Sequence, residues 1–159
     1  MGTEQMTAYA DTSFLVSLYL PDAHSPVAWA VMKSRPYLYL TPLHELEFVN
    51  AIELAVFRKL IRRREARSVL GNFEQDRCGM FALTPVPSES YGRAEQLARR
   101  HTSLLGTRSL DILQVATALI LKADAFYTFD ERQRKLARAE RMRVLTVSRP
   151  RKTPGSDRW

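Results

Sequence analysis

Cysteine is nearly absent from this chain. A single thiol, Cys78, cannot form an internal disulfide, and His24, His44 and His101 stand too far apart to give any Cys/His group the spacing of a zinc site. Glycine is scarce too, at 6 residues in 159. There is no internal repeat, and no glycine-rich loop ending in Gly-Lys-Ser/Thr, which argues against a phosphate-loop NTPase. No apolar run approaches the length of a bilayer span, and Met1 to Thr7 is polar and carries Glu4. Neither a membrane helix nor a signal peptide is therefore expected, and the cytoplasm is the expected compartment.

What the chain does have is enough apolar material for one core, 45% of its residues, which argues against disorder. One domain over residues 1–147 is expected, followed by a basic tail over 148–159. The net charge of +7 is unevenly placed. Residues 131–159 carry Arg132, Arg134, Lys135, Arg138, Arg141, Arg143, Arg149, Arg151, Lys152 and Arg158 against Glu131, Glu140 and Asp157, so the first 130 residues are electrically balanced. Such a concentration favours a polyanionic partner through counterion release, although a solvated helix face and a frayed tail would give the same count.

The pattern alternates between strands and helices. Thr7 to Ala10, Tyr37 to Leu40, Met80 to Val86, Ala125 to Phe129 and Val144 to Val147 read as strands. Helices are expected after Asp11-Thr12-Ser13, over Ala23 to Lys33, from Thr41-Pro42 through Lys59 and from Leu60 to Gly79. A further helix capped by Ser88 should turn Tyr91, Ala94, Leu97 and Ala98 inward. Another, capped by Ser109 or Thr107, should run to Lys122, and a last one should span Glu131 to Arg141. The alternation predicts an α/β fold with a mainly parallel sheet, whose crevice lies at the carboxyl ends of the strands.

Four acids stand in apolar surroundings: Asp11, Glu47, Asp111 and Asp130. Asp11, Asp111 and Asp130 fall at proposed helix starts, where capping alone would account for them. Glu47 lies inside its helix beside Leu43, Asn50, Ala51 and Leu54, a face expected to be buried, so its carboxylate needs a partner. Glu45 and Glu53 are expected to face solvent. If the four acids converge they repel one another unless a cation intervenes, and an all-oxygen donor set suits Mg²⁺ or Mn²⁺ over zinc. A phosphatase using Asp11 as nucleophile would show a second Asp two residues on, where Ser13 stands; a receiver module would want paired acids near the first strand and a suitably placed Lys.

The ordered set Ala10-Asp11-Thr12-Ser13, Glu47-Phe-Val-Asn50-Ala51, Ser109-Leu-Asp111-Ile-Leu-Gln-Val-Ala and Tyr127-Thr128-Phe129-Asp130 resembles the PIN domain family, in particular its VapC-type toxins. The resemblance implies a three-layer α/β/α sandwich, Mg²⁺- or Mn²⁺-dependent endoribonuclease activity, a homodimer and a VapB-like antitoxin partner. It implies that Asp11, Glu47, Asp111 and Asp130 are catalytic and hold metal directly or through water, with which acid positions the attacking water left open. Ser13, Asn50 and Thr128 would support them, and Asn50, three residues after Glu47, favours Glu47 over Glu45. Arg132, Arg134 and Lys135 are the candidate RNA contacts, with tRNA or ribosomal RNA as the expected substrates. The alternative is a catalytically inactive PIN-like protein that binds RNA or an antitoxin.

Overall fold

Alternation along short buried strands sets the layers. In β1 (Thr7–Ala10), Ala8 and Ala10 pack into one apolar cluster and Tyr9 into the other; in β4 (Ala125–Tyr127), Ala125 and Tyr127 join the first cluster and Phe126 the second. This is the period-2 pleat of strands covered on both faces. The computed structural model describes residues 5–145. The expected 148–159 tail and the end of the expected Val144–Val147 strand lie outside the described residues.

With β2 (Tyr37–Leu40), β3 (Ala82–Leu83) and β5 (Arg143–Val144), the sheet has the order β3-β2-β1-β4-β5, and every pairing is parallel. The helices are α1 (Thr12–Tyr19), α2 (Ser25–Met32), α3 (Pro42–Phe57), α4 (Arg63–Met80), α5 (Glu89–Leu105), α6 (Ser109–Ile120) and α7 (Glu131–Ala139). Helices α1 to α4 contribute Phe14, Ala28, Phe48 and Phe73 to the first cluster, and α5 to α7 contribute Leu97, Val115 and Leu136 to the second. The result is the three-layer α/β/α sandwich. Strand order reverses between β1 and β4, the position at which parallel α/β sheets open a crevice.

Three helices start as their sequences dictate. Asp11 caps α1 by accepting from the Phe14 amide, and Asp130 caps α7 by accepting from the Gln133 amide. Thr41 caps α3 in a reciprocal pair with His44, with Pro42 in the first turn. Two expected caps are corrected. Ser88 makes no cap bond, its hydroxyl turning to Glu89, and α6 starts from Arg108 with neither Thr107 nor Ser109 capping it. In α6 the first turn instead carries Asp111, whose charge complements the unpaired amides.

Boundaries shift for identifiable reasons. Helix α3 stops at Phe57 and α6 at Ile120, short of Lys59 and Lys122, because both lysines take left-handed backbone (φ 59° and 55°). The amides of Leu60, Ala123 and Met142 then close on the carbonyls of Ala55, Ala118 and Ala137, and Arg141 (φ 62°) plays the same part at the end of α7. The third strand shrinks to two residues, because Met80 completes α4 and Pro85 has no amide to donate. Tyr91, expected on the inner face of α5, is 61% exposed, leaving Leu97 as the buried apolar anchor of that helix. No helix among the described residues is long and apolar enough to cross a membrane.

Candidate active site

Asp11 leaves the end of β1 and is fully buried, and each oxygen of its carboxylate accepts two hydrogen bonds. Oδ1 accepts from the Ser13 hydroxyl (2.6 Å) and the Phe14 amide (3.1 Å), and Oδ2 from the Thr128 hydroxyl (2.6 Å) and Gln133 Nε2 (2.8 Å). Burial nevertheless pushes its pKa up to about 6; the Ser13 and Thr128 hydroxyls and the Phe14 amide pull it down, and the charge of Asp130 adds to the rise. Four donors hold the group in place without fully restoring the hydration it has lost.

Asp111, buried in the first turn of α6, accepts from Arg108 Nε on Oδ2 (3.0 Å) and from Gln133 Nε2 on Oδ1 (3.2 Å). One amide nitrogen therefore joins Asp11 to Asp111. Asp130, half-buried, is linked to the same group through Thr128: the Thr128 hydroxyl accepts the Asp130 amide (2.9 Å) while donating to Asp11. Ser13 also accepts the Phe129 amide (3.0 Å), so it ties the β4 end to α1 as well as bonding Asp11.

Glu47 stands apart from these three. Its Oε2 accepts from the Thr12 hydroxyl (3.0 Å) and from Gln114 Nε2, and Gln114 Oε1 in turn accepts from the Tyr9 hydroxyl. Tyr9 fixes the Gln114 amide so that its nitrogen faces Glu47. The face of α3 that carries Glu47 differs from expectation: the buried stripe is His44, Phe48 and Ile52, whereas Glu47 is half-buried and Asn50 exposed. Glu45 and Glu53 are not free in solvent but pair with Arg77 and Arg63.

The mouth of the site is charged. Arg108 is largely exposed, bonds Asp111 and lies within the fields of Asp130 and Glu47, which together hold its guanidinium proton more tightly than usual. Arg132 and Lys135 are exposed on α7, and Arg134 is half-buried against Glu131 (3.0 Å). A groove of about 380 Å³ runs off the acids between Thr12, Ser13, Ser17, Asp22 and Asp130, and the His24 ring stacks on Phe129 along its wall (4.3 Å, 11°).

Asp11, Asp111 and Asp130 are thus brought together and Glu47 is held at their edge, but among the described residues no three His, Cys, Asp or Glu side chains stand close enough to hold one ion. Sequence reasoning missed Thr12, His44, Arg108, Gln114 and Gln133. A signal for the glutamines exists: Asp111 and Asp130 are each followed three residues later by Gln, a spacing that puts acid and amide on one helix face.

The sequence matches the PIN domain family over residues 8–139. Among solved structures, FitAcB from Neisseria gonorrhoeae superposes with a TM-score of 0.65 at 19% identity, covering 88% of this chain and 97% of that one. VapC20 from Mycobacterium tuberculosis, a sarcin-ricin loop cleaving toxin, gives 0.63 at 18% identity over 81% and 94%. VapBC2 from Rickettsia felis, bound to a DNA fragment from its promoter, gives 0.61 at 14% identity over 88% and 98%. No curated protein matches the sequence. A family match over most of the chain and an all-parallel sheet with acids at its switch point agree: the chain belongs to the PIN domain family.

Proposed function

We propose that this protein is a metal-dependent endoribonuclease, the toxin of a toxin-antitoxin pair, working in the cytoplasm with tRNA or ribosomal RNA as substrate. The observation that carries the reading is the joining of Asp11 and Asp111 through one amide, at the crevice between β1 and β4. The donor set is all hard oxygen, and Mg²⁺ or Mn²⁺ needs only one or two carboxylates when water completes its shell. The Gln133 side chain brings a further potential oxygen ligand, Oε1, which is buried and has no hydrogen-bond partner among the described residues. Asp11 and Asp111 would hold the ion directly, Glu47 and Asp130 through water. When bound, such a cation supplies an activated water and neutralises charge developing on a phosphodiester.

The chain's own groups do the rest. Ser13, Thr128 and the Phe14 amide fix Asp11 in one orientation, so substrate binding need not order it. Arg108 offers an exposed guanidinium for a phosphate at the mouth, and Arg132 and Lys135 extend positive charge along α7. Glu47 is held on a chain of bonds from Tyr9 through Gln114, and that fixed carboxylate supports a role for it beside Asp11, Asp111 and Asp130, with which of the four orients the attacking water left open. The toxin role draws on the Mycobacterium and Rickettsia neighbours, and with it come a VapB-like antitoxin and a homodimer as partners.

Purified protein incubated with tRNA and ribosomal RNA fragments, with Mg²⁺, Mn²⁺ or chelator, tests this reading. Cleavage that requires both the cation and Asp11, with Asp11→Asn inactive, is expected. RNA bound by folded protein but never cut would overturn the nuclease reading in favour of a binding protein.

A further inference from the structure

Gln133 is buried, and its amide is used unevenly. Nε2 donates to both Asp11 Oδ2 (2.8 Å) and Asp111 Oδ1 (3.2 Å), while Oε1 is buried with no hydrogen-bond partner among the described residues. The orientation is dictated by the carboxylates, because turning the amide over would set Oε1 against two anionic oxygens. Leaving a buried carbonyl unpaired is costly, because the oxygen gives up its hydration without a replacement. Two N–H bonds to ionised oxygens outweigh that cost, being about twice as strong as neutral ones.

A hydrogen-bond donor that bridges two carboxylates occupies the place a bridging cation would take. The amide and the ion are mutually exclusive there, since a cation repels the N–H groups and attracts the carbonyl. From this geometry, and resting on the metal-dependent reading above, we propose that Gln133 is a cation-exchanged member of the site. Its amide holds Asp11 and Asp111 together by N–H donation, and turns over when a divalent ion enters, so that Oε1 faces the ion or its water. The unpaired oxygen of one arrangement becomes the ligand-side oxygen of the other. Rotation about a single side-chain torsion suffices, and the backbone of α7 stays fixed by the Asp130 cap.

The test is the side-chain amide resonance of Gln133 in uniformly ¹⁵N-labelled full-length protein, assigned by its disappearance in Gln133→Met, during titration with Mg²⁺. The backbone amides of Asp11 and Asp111 report occupancy independently. We expect the Gln133 NH₂ pair to move furthest of all side-chain amides and to saturate together with those two reporters. In parallel, Gln133→Glu keeps Oε1 but replaces the donors by a third charge. It should melt earlier than wild type in chelator and show a Mg²⁺-induced rise in melting temperature about twofold larger. A residue that only fills space would lower both melting temperatures alike. Reporters that shift while the Gln133 pair stays still, or equal Mg²⁺ increments in the two proteins, overturn the exchange and leave the metal-dependent reading standing. Reporters that never shift overturn both.

Discussion

His44 donates from Nε2 to the carbonyl of Ala10 at 2.6 Å, one residue before Asp11, while its Nδ1 accepts the Thr41 amide at 2.9 Å. Both ring nitrogens are committed, so the tautomer is fixed and a second proton has nowhere favourable to go. Burial lowers the His44 pKa to about 4, while burial raises that of its neighbour Asp11 to about 6.

These opposite shifts make the first prediction one of compensation. Asp11 favours folding most below pH 4, and that contribution is lost as pH climbs through 6. His44 favours folding fully above pH 6.5 and loses that contribution as pH falls toward 4. Each is worth on the order of 3 kcal/mol, so wild-type stability should be nearly flat between pH 4 and 6. Asp11→Asn removes one arm, and its urea midpoint should climb steadily from pH 4 to 6.5. A flat profile in the variant would show that His44 is not held neutral by burial.

Divalent cations should stabilise the fold through the carboxylates they relieve. Mg²⁺ or Mn²⁺ at saturation should raise the melting temperature of wild type more than that of Asp111→Asn, because the variant keeps the Gln133 bridge but has one anionic ligand fewer. Equal increments would place the ion elsewhere.

Arg108 is an exposed cation bonded to Asp111, so Arg108→Ala should weaken RNA binding across sequences alike and lower the salt slope of log K by about one unit. Far-ultraviolet circular dichroism should stay unchanged, since α6 takes no side-chain cap from this residue. A slope equal to wild type would mean that Arg108 serves Asp111 alone.

The helix ends allow a stability test remote from the site. Lys122 takes left-handed backbone, where a side chain meets steric resistance that glycine avoids. Lys122→Gly should raise stability by about 0.5–1 kcal/mol, read as a higher urea midpoint, because the capping bond from Ala123 to Ala118 is retained. A lower midpoint would mean that the lysine stem contributes more than the backbone resists.

Much of this molecule is legible in its sequence, and the limits are physical. Asp11 and Asp130 follow buried strands and open helices, so strand pattern and cap preference are together enough to place them at the crevice. Glu47 is conspicuous as a carboxylate amid apolar residues, yet the stripe buried on its helix runs through His44, Phe48 and Ile52. Helical spacing defines a face but not which of two adjacent faces meets the sheet. Ser88 and Ser109 look like caps and are not, because a cap depends on the backbone before the helix: Ser88 is itself helical in conformation, and Arg108 holds the extended position in front of Ser109. Gln114 and Gln133 look like ordinary polar helix residues. Only the closure of α6 and α7 onto β1 turns them into the bonds that assemble the acids.

Glu47 rides on α3, which packs with α1 and α4 in one apolar cluster, whereas Asp111 rides on α6 in the other. Among the described residues, one side-chain hydrogen bond, from Gln114, runs between those carriers. The outer side of α3 presents Leu46 (66% exposed) and Phe57 (82% exposed). The two carboxylates are carried from opposite faces of the sheet, and the spacing between them is set by how the two helical layers sit on it.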